Sequence, residues 1–316
     1  MALYRTYSDY LKEKYNEKVY KIPIALPVTC PNRDGTLDSD GCIFCGSIRA
    51  DYETKAVGMA ITRQIDRSIS HVGPKYKAKK FIAYFLNFTN TYMPLSRFRY
   101  CVEEACGHPD IVGLAVSTRP DCIHESYLEV LREAQGKYGT NITVELGLQS
   151  VNPHTLLKIG RCHTVAEFID AALQIGRYHF DLCAHIIADL PWDDRIDVEE
   201  AAKLVSVLPV TEIKIHSLYI IKGTKLAKIY EKGDIKLLPP EEYAERVVLI
   251  LSMLRPDIVV QRIVGRASAN TLSVNGGRPW WEVKEYIEKL MRNRHIQQGS
   301  ACNYLHGAAV RRFLHE

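Results

Sequence analysis

The strongest constraint on the fold of this chain is a repeated alternation between short apolar runs and segments with helical periodicity. Seven runs are nearly continuous in apolar, often β-branched residues, which is typical of parallel strands covered on both faces. They are Ile22–Leu26, Phe81–Phe88, Ile111–Ser117, Ile142–Gln149, Leu182–Leu190, Glu212–Ile220 and Ile258–Val264. Strands that alternate with helices in this way predict βαβ units and a parallel sheet.

The predicted helices lie between these runs, at Val57–Ser70, Leu95–Ala105, Ser126–Ala134, Val165–Arg177, Asp197–Val207 and Glu241–Leu254. Six strand–helix units predict an α/β barrel or partial barrel. The length of 316 residues is enough for one such barrel or for two domains, and no Ser/Gly linker marks a boundary. We expect a core domain over residues 1–255 and a C-terminal extension over residues 256–316.

Polar residues recur at or near the carboxyl ends of the predicted strands. In a parallel barrel these ends share one mouth, where functional side chains collect. The polar residues are Asn87, Thr89 and Asn90; Ser117, Arg119 and Asp121; Glu145 and Gln149; His185 and Asp189; and Lys214, His216 and Ser217. Any one of them can be explained as a turn or capping residue, but their recurrence favours a functional site.

The most specific local feature is a loop with three cysteines after the first predicted strand. Cys42 and Cys45 form a C-x-x-C pair, and Cys30 lies twelve positions before Cys42. The segment between them is polar and contains glycine, so it can fold back and bring three thiolates together. The other cysteines have no ligand spacing and are expected to be buried apolar residues.

Three interpretations of this loop remain open from the residues alone. A structural zinc site needs four ligands, and no further Cys or His follows within twenty residues of Cys45. A thioredoxin-like redox pair would leave Cys30 unexplained. An iron–sulfur cluster with three protein ligands would leave one iron open to a small molecule.

Composition adds weaker information. The 41 Lys and Arg against 37 Asp and Glu give a net charge of +4, which is compatible with a polyanionic partner without requiring one. The N-terminal residues lack the apolar core of a signal peptide, and no apolar run approaches the roughly 18–20 residues that span a bilayer. We therefore expect a cytoplasmic protein with no membrane partner and with reduced thiols.

The cysteine loop and six further segments resemble the radical S-adenosylmethionine (SAM) superfamily. The similar branch contains bacterial proteins of the YhcC/YtqA type and is related to the catalytic subunit of Elongator. The resemblance covers nearly the whole chain. The segments are Cys30–Thr36, Tyr84–Tyr92, Ser117–Cys122, Val144–Ser150, Arg161–Thr164, His185–Pro191 and Lys222–Leu226, with Gln298-Gly299 similar to the C-terminal signature.

The resemblance implies a partial (α/β)6 barrel of the TIM type and two cofactors. Cys30, Cys42 and Cys45 would hold a 4Fe–4S cluster whose fourth iron is chelated by SAM. One electron from the reduced cluster would cleave SAM to methionine and a 5′-deoxyadenosyl radical, which abstracts hydrogen from the substrate. No catalytic residue beyond the cluster and the SAM site is implied.

The resemblance also implies a set of SAM-binding residues. They are Phe44, Thr89, Asn90, Ser117, Arg119, Glu145, Gln149, Arg161 and His185. Phe44 would pack near the adenine, and the guanidinium of Arg161 suits a carboxylate. The chain departs from the family pattern at Leu86, Cys162, Asp189, Trp192 and Arg266, positions that would affect the substrate rather than SAM cleavage.

Relatives of this branch act on tRNA, and an MnmL-like type converts 5-carboxymethylaminomethyl-uridine to 5-aminomethyl-uridine at the wobble position. We expect a tRNA substrate, an electron donor such as flavodoxin or ferredoxin, and a functionally coupled methyltransferase. The C-terminal residues expected to contact RNA are Trp280, Trp281, Lys284, Arg292 and Arg294. The alternatives are a radical SAM enzyme on a small-molecule or peptide substrate, and a non-catalytic metal-stabilised RNA-binding protein.

Overall fold

The computed structural model describes residues 2–46, 58–266 and 270–313. A parallel sheet in the order β1-β2-β3-β4-β5-β6-β8 forms its centre. These strands are β1 (Val19–Ile24), β2 (Lys80–Phe85), β3 (Ile111–Thr118), β4 (Asn141–Gln149), β5 (Asp181–Ile187), β6 (Glu212–His216) and β8 (Val259–Arg262). The short strands β7 (Ile220–Ile221) and β9 (Thr271–Ser273) pair antiparallel beside it.

The ten helices of the described residues include the six that the sequence analysis predicts between the strands. They are α1 (Tyr7–Tyr15), α2 (Ile61–Tyr76), α3 (Leu95–Cys106), α4 (Glu125–Tyr138), α5 (Pro153–Lys158), α6 (Val165–Arg177), α7 (Arg195–Val207), α8 (Lys225–Glu231), α9 (Pro240–Met253) and α10 (Trp280–Asn293). Thr164 and Asp194 form capping boxes that fix the first turns of α6 and α7.

Contacts between strands that are not neighbours show that the sheet is curled into a partial barrel. Lys21 on β1 reaches Glu145 on β4 and Gln261 on β8. The apolar side chains of the strands' other face pack with the helices in one large core. Among the described residues no hydrogen-bonded ladder joins β1 to β8, so the barrel remains open along that seam. The prediction of a partial α/β barrel is confirmed.

Helix α1 covers the amino ends of the strands. The carboxylate of Asp181, at the start of β5, accepts from Tyr10 Oη at 3.2 Å and from Lys14 Nζ at 2.9 Å. Leu11 packs with apolar side chains of β1 and β2. The barrel interior is therefore closed at this end, and access is from the carboxyl ends of the strands.

Several boundaries differ from the sequence-based expectation. β1 begins at Val19 rather than Ile22, because Lys21 is a polar residue that faces the barrel interior and interrupts an apolar run. β6 ends at His216, and Ile220 belongs to a separate strand. The predicted start of the first helix at Val57 lies outside the described residues, and within them that helix begins at Ile61.

The seventh strand, β8, joins the same sheet by pairing with β6. Helix α10 then packs along α9, and the backbone N–H of Gly299 donates to the carbonyl of Leu251 at 3.0 Å. The division of the chain at residue 255 stays a prediction. No helix among the described residues is long and apolar enough to span a membrane.

Candidate functional site

The three cysteines of the loop line one cavity at the carboxyl ends of the strands, which we call the thiol pocket. The space within it, including the part that is open to solvent, is about 640 Å³. Its lining residues are Cys30, Asn32, Arg33, Gly41, Cys42, Phe44, Cys45, Phe88, Thr89, Ser117, Thr118, Arg119, Gly147, Gln149, Arg161 and His185. The C-x-x-C pair and the distant Cys30 therefore converge, as the loop composition predicts.

Backbone turns hold the cysteine loop in this folded-back form. The N–H of Cys45 donates to the carbonyl of Cys42 at 2.8 Å, and the N–H of Arg33 donates to the carbonyl of Cys30 at 2.8 Å. Gly41 has a φ of +75°, and a Cβ there would lie 3.1 Å from Cγ of Arg33. Glycine is thus required at the turn that brings Cys42 back toward Cys30.

Cationic and amide groups surround two of the sulfur atoms. Nη1 of Arg161 lies 3.7 Å from Sγ of Cys42, and Nη1 of Arg33 lies 3.5 Å from Sγ of Cys45. Nδ2 of Asn32 lies 3.6 Å from Sγ of Cys42. Such donors can hydrogen-bond to the sulfur ligands of a zinc ion or an iron–sulfur cluster.

Arg161 is held rigidly across the pocket. Its Nη2 donates to the carbonyl of Gly147 at 3.1 Å, and its Nε donates to Nε2 of His163 at 2.7 Å. Burial and the Arg161 charge lower the pKa of His163 to about 3, so its ring is a neutral acceptor at physiological pH. A Cβ on Gly147 would lie 2.6 Å from Nη2 of Arg161, so glycine makes room for the guanidinium.

Three buried polar atoms of the residues that line the pocket have no hydrogen-bond partner among the described residues. They are Oδ1 of Asn32, Oγ1 of Thr89 and Nη1 of Arg119. The other two guanidinium nitrogens of Arg119 pair with the carboxylate of Asp121 at 2.7 and 2.8 Å. Buried polar groups without partners are costly, which indicates that a polar ligand completes this pocket.

Seven of the nine residues predicted to bind SAM line the thiol pocket, and two do not. The seven are Phe44, Thr89, Ser117, Arg119, Gln149, Arg161 and His185. Nδ2 of Asn90 is instead within hydrogen-bond distance of the backbone carbonyls of Phe85, Asn87 and Ser117, which fixes the turn after β2. Glu145 lies one inward-facing position below Gly147 on β4. The assignment of all nine to SAM stays a prediction.

Glu145 is the centre of a second group of interior side chains, which we call the ion-pair layer. It comprises Lys21, Tyr84, Glu145, His185 and Lys214. The carboxylate of Glu145 is fully buried and pairs with Lys21, with Lys214 Nζ at 2.6 Å and with His185 Nε2 at 2.9 Å. Burial alone would raise the pKa of Glu145, but the two lysines outweigh it and hold that pKa well below its usual range.

Glu145, Cys183 and His185 also offer three possible metal-ligand atoms close together. Both lysines already neutralise the carboxylate, however, and burial raises the pKa of the Cys183 thiol well above its usual range. Burial, followed by the charge of Lys214, lowers the pKa of His185 to about 4, so the neutral ring donates to Glu145. This group is therefore an ion-pair network rather than a metal site.

Sequence reasoning missed several residues of the site. Gly147 and His163 position Arg161, and Lys21 balances Glu145. A charged residue at position 21, directly before an apolar strand, was a signal for Lys21. Nothing local identifies its partner, which is 124 positions away.

Comparison with known proteins places these features in a family. Residues 210–293 match the model of the radical SAM C-terminal domain. The chain is 35 % identical to the protein YtqA of Bacillus subtilis, over 94 % of this chain and 92 % of that one. It is 30 % identical to the protein YhcC of Escherichia coli K12, over 92 % of this chain and 93 % of that one. Among solved structures, archaeal Elp3 from Methanocaldococcus infernus, with its N-terminus deleted, has the same fold with a TM-score of 0.60 and 17 % identity. That match covers 89 % of this chain and 64 % of the Elp3 chain.

Proposed function

This chain is a radical SAM enzyme of the YtqA/YhcC branch, and from that premise we propose that it modifies tRNA at the 5-substituent of the wobble uridine. The proposed conversion is 5-carboxymethylaminomethyl-uridine and water to 5-aminomethyl-uridine and glyoxylate. The methylene carbon of the carboxymethyl group would lose one hydrogen atom to the 5′-deoxyadenosyl radical and one electron to the oxidised cluster. Water would then release the two-carbon unit from the nitrogen. A flavodoxin or ferredoxin would supply electrons, and a coupled methyltransferase would act on the product.

The thiol pocket fits the two cofactors that this superfamily binds, SAM and a 4Fe–4S cluster. Three thiols lie near cationic donors, and the unpartnered atoms of Thr89 and Arg119 are available to a polar ligand in the same cavity. When bound, the reduced cluster and SAM supply a 5′-deoxyadenosyl radical that takes a hydrogen atom from the substrate.

The chain's own residues have three tasks in this scheme. Cys30, Cys42 and Cys45 would hold the cluster, and the fixed charges of Arg33 and Arg161 offset the negative charge of their thiolates. The guanidinium of Arg161, held by the carbonyl of Gly147 and the ring of His163, is oriented before any ligand arrives. Such preorganisation avoids the entropic cost of ordering a long side chain on binding.

The observation that carries the tRNA proposal is a lysine-rich segment beside the pocket mouth, residues 222–236, which we call the basic segment. It contains five lysines against Glu231 and Asp234. The N–H of Leu226 donates to the carbonyl of Ile43 at 2.9 Å, and Lys225 pairs with Asp40 at 2.6 Å, so the segment is attached to the cysteine loop. Because nucleic-acid affinity depends on cations that meet phosphates, this surface suits an RNA backbone.

The other four lysines of the basic segment are exposed and have no ion pair with a carboxylate within the ranges that the structure describes. They are Lys222, Lys228, Lys232 and Lys236. On α10, in contrast, Lys284 and Arg292 both pair with Glu288, and Arg294 pairs with Glu245 through two contacts of 2.6 Å. We therefore assign the main phosphate contacts to the basic segment and a smaller share to the C-terminal residues.

Nucleoside mass spectrometry of tRNA from cells with and without the gene tests the proposal. Loss of the gene should remove nucleosides derived from 5-aminomethyl-uridine and accumulate the carboxymethylaminomethyl form. The wild-type gene and Cys101→Ala, a change at a buried cysteine of α3, should restore the product, whereas Cys42→Ala should not. Unaltered nucleosides would contradict the tRNA substrate.

Two cheaper measurements separate the alternative functions. Binding of tRNA should weaken steeply with added salt through counterion release, whereas binding of a small neutral substrate should hardly change. Metal analysis of anaerobically purified protein should give about four irons with sulfide, as expected of a 4Fe–4S centre. One zinc and no iron would instead support the non-catalytic RNA-binding alternative.

A further inference from the structure

Arg262, the last residue of β8, is a half-buried cation without a carboxylate partner within the described ranges. Its Nη2 lies 2.5 Å from Nδ1 of His216, the last residue of β6. Its Nε is buried and has no hydrogen-bond partner among the described residues. Guanidinium groups in protein interiors normally pair with a carboxylate or a phosphate, so this one is incomplete.

The charges of the surrounding interior do not balance. Lys21 and Lys214 share the one carboxylate of Glu145, and Arg262 adds a third cation. Glu212 accepts from Gln261, and burial raises the pKa of Glu212 to about 7, so it is only partly ionised at neutral pH. The interior therefore carries an excess of one to two positive charges.

This excess lies beside the thiol pocket rather than in it. His185 lines the pocket, and its ring centroid is 5.1 Å from that of His216, which contacts Arg262. Arg161 and Arg119, the cations suited to the cofactor, lie within the pocket itself. A group bound at Arg262 would thus be adjacent to the cofactor and separate from it, as a substrate must be.

We propose that Arg262, with His216, binds a carboxylate of the substrate. On the proposed function, upon which this inference rests, that group is the terminal carboxylate of 5-carboxymethylaminomethyl-uridine. A guanidinium presents parallel N–H donors that match the two oxygens of a carboxylate. One monoanion also matches an excess of one to two positive charges better than a polyanion does.

Calorimetric titration of the cluster-loaded protein in the presence of SAM tests this without measuring turnover. The probes are 5-carboxymethylaminomethyl-uridine nucleoside, its primary amide, and inorganic phosphate. The acid should bind wild-type protein roughly tenfold to a hundredfold more tightly than the amide, the range of a hydrogen bond to a charged group. Arg262→Met should lower the acid's affinity to that of the amide, and Arg262→Lys should retain part of the difference.

Arg132→Met is the matched control, because Arg132 is exposed on α4 and pairs with Glu129. It should leave all three affinities unchanged. Equal wild-type affinity for acid and amide, no binding of the acid, or an unchanged acid affinity in Arg262→Met would each overturn the proposal. Phosphate binding that requires Arg262 while acid binding does not would replace the carboxylate with a phosphate.

Thermal melting of each variant shows whether it is folded. If Arg262→Met is unfolded, the acid affinity of Arg262→Lys decides whether Arg262 binds the carboxylate. A different measurement tests the proposed function. The nucleoside content of tRNA from cells without the gene does not involve Arg262, so unaltered nucleosides would contradict the tRNA substrate and leave the carboxylate site untouched. If acid binding requires Arg262 but the tRNA nucleosides are unaltered, the carboxylate site is supported and tRNA is rejected as the substrate.

Discussion

The thiol pocket contains buried polar atoms without a protein partner, whereas the carboxylate of the ion-pair layer directly beneath it is paired on both oxygens. In the pocket, Thr89 and Arg119 each leave one atom unpaired among the described residues. In the layer below, both oxygens of Glu145 accept hydrogen bonds from Lys21, His185 or Lys214. Because both layers lie inside the same partial barrel, burial alone does not explain the difference.

The difference shows that the polar groups of the ion-pair layer find their partners when the chain folds, whereas those of the thiol pocket find theirs when a ligand binds. Glu145 would cost several kcal/mol if it were buried alone, so the chain supplies its counter-charges itself. The pocket residues accept a smaller cost in the free protein and recover it when a polar ligand binds. Mutations in the ion-pair layer should therefore change the free energy of unfolding, whereas mutations in the thiol pocket should change ligand affinity.

Glu145→Gln should produce the largest effect on stability. It leaves Lys21 and Lys214 buried without a carboxylate, and breaking a buried ion pair typically costs about 3–5 kcal/mol. Urea unfolding at pH 7 measures the loss. The control Glu129→Gln removes a half-buried partner of Arg132 and should lower the unfolding free energy far less than Glu145→Gln.

A second substitution shows whether the loss comes from the uncompensated charge. Adding Lys21→Met to Glu145→Gln removes one of the two unpaired ammonium groups, so it should recover part of the lost stability. If Glu145→Gln unfolds like the wild type, the layer is not held by its ion pairs, and the contrast between the layers disappears.

Asp189→Asn tests a carboxylate that lies near the pocket end of β5 but has a backbone partner. Oδ1 of Asp189 accepts from the N–H of Leu218 at 2.7 Å, and burial raises the pKa of Asp189 to about 7. A raised pKa means that the folded state favours the protonated acid. The stability that protonated Asp189 contributes is fully present below its pKa in the unfolded chain, about 4, and is lost as the pH rises through its folded-state pKa of about 7.

Asparagine keeps the acceptor and does not titrate, so Asp189→Asn should gain stability relative to the wild type as the pH rises from 4 to 8. The expected gain is on the order of 3 kcal/mol, measured as the difference between urea unfolding free energies across that range. A difference that is independent of pH would show that Asp189 is ionised in the folded protein. Asp189 would then be a further anion that offsets the positive interior.

The sequence predicted those parts of the molecule whose signals are local. Apolar runs identified the sheet, and the spacing of Cys30, Cys42 and Cys45 identified the loop that converges on one cavity. Helices α1, α5 and α8 were missed because they are short, with nine, six and seven residues. Only Leu11 is buried in α1.

The pairing of interior charges could not be predicted because it depends on the curl of the sheet. Glu145 and Lys214 are recognisable as polar strand residues, but their contact joins positions 69 residues apart on strands that are not neighbours. Asn90 has a structural role that its position after a strand did not reveal, because its amide nitrogen binds three backbone carbonyls of the turn after β2. Its Oδ1 is buried without a partner among the described residues, so a contact with SAM stays a prediction.

Arg161→Ala should produce the smallest of these effects and should act on the pocket alone. The guanidinium is held by Gly147 and His163. If it binds the SAM carboxylate, as the family resemblance predicts, its loss removes a preoriented donor. SAM should bind about tenfold more weakly, the low end for a hydrogen bond to a charged group. Equilibrium titration of cluster-loaded protein measures this, and Arg177→Ala, an exposed arginine of α6, is the control.

Iron content decides which task Arg161 performs, because its Nη1 also lies 3.7 Å from Sγ of Cys42. If Arg161 serves SAM, the variant retains its iron and its urea unfolding stays close to that of the wild type. Arg161→Lys should then recover only part of the SAM affinity, since an ammonium lacks the parallel donors of a guanidinium. Loss of iron, with SAM affinity unchanged in the protein that keeps its cluster, would assign Arg161 to the thiolates instead.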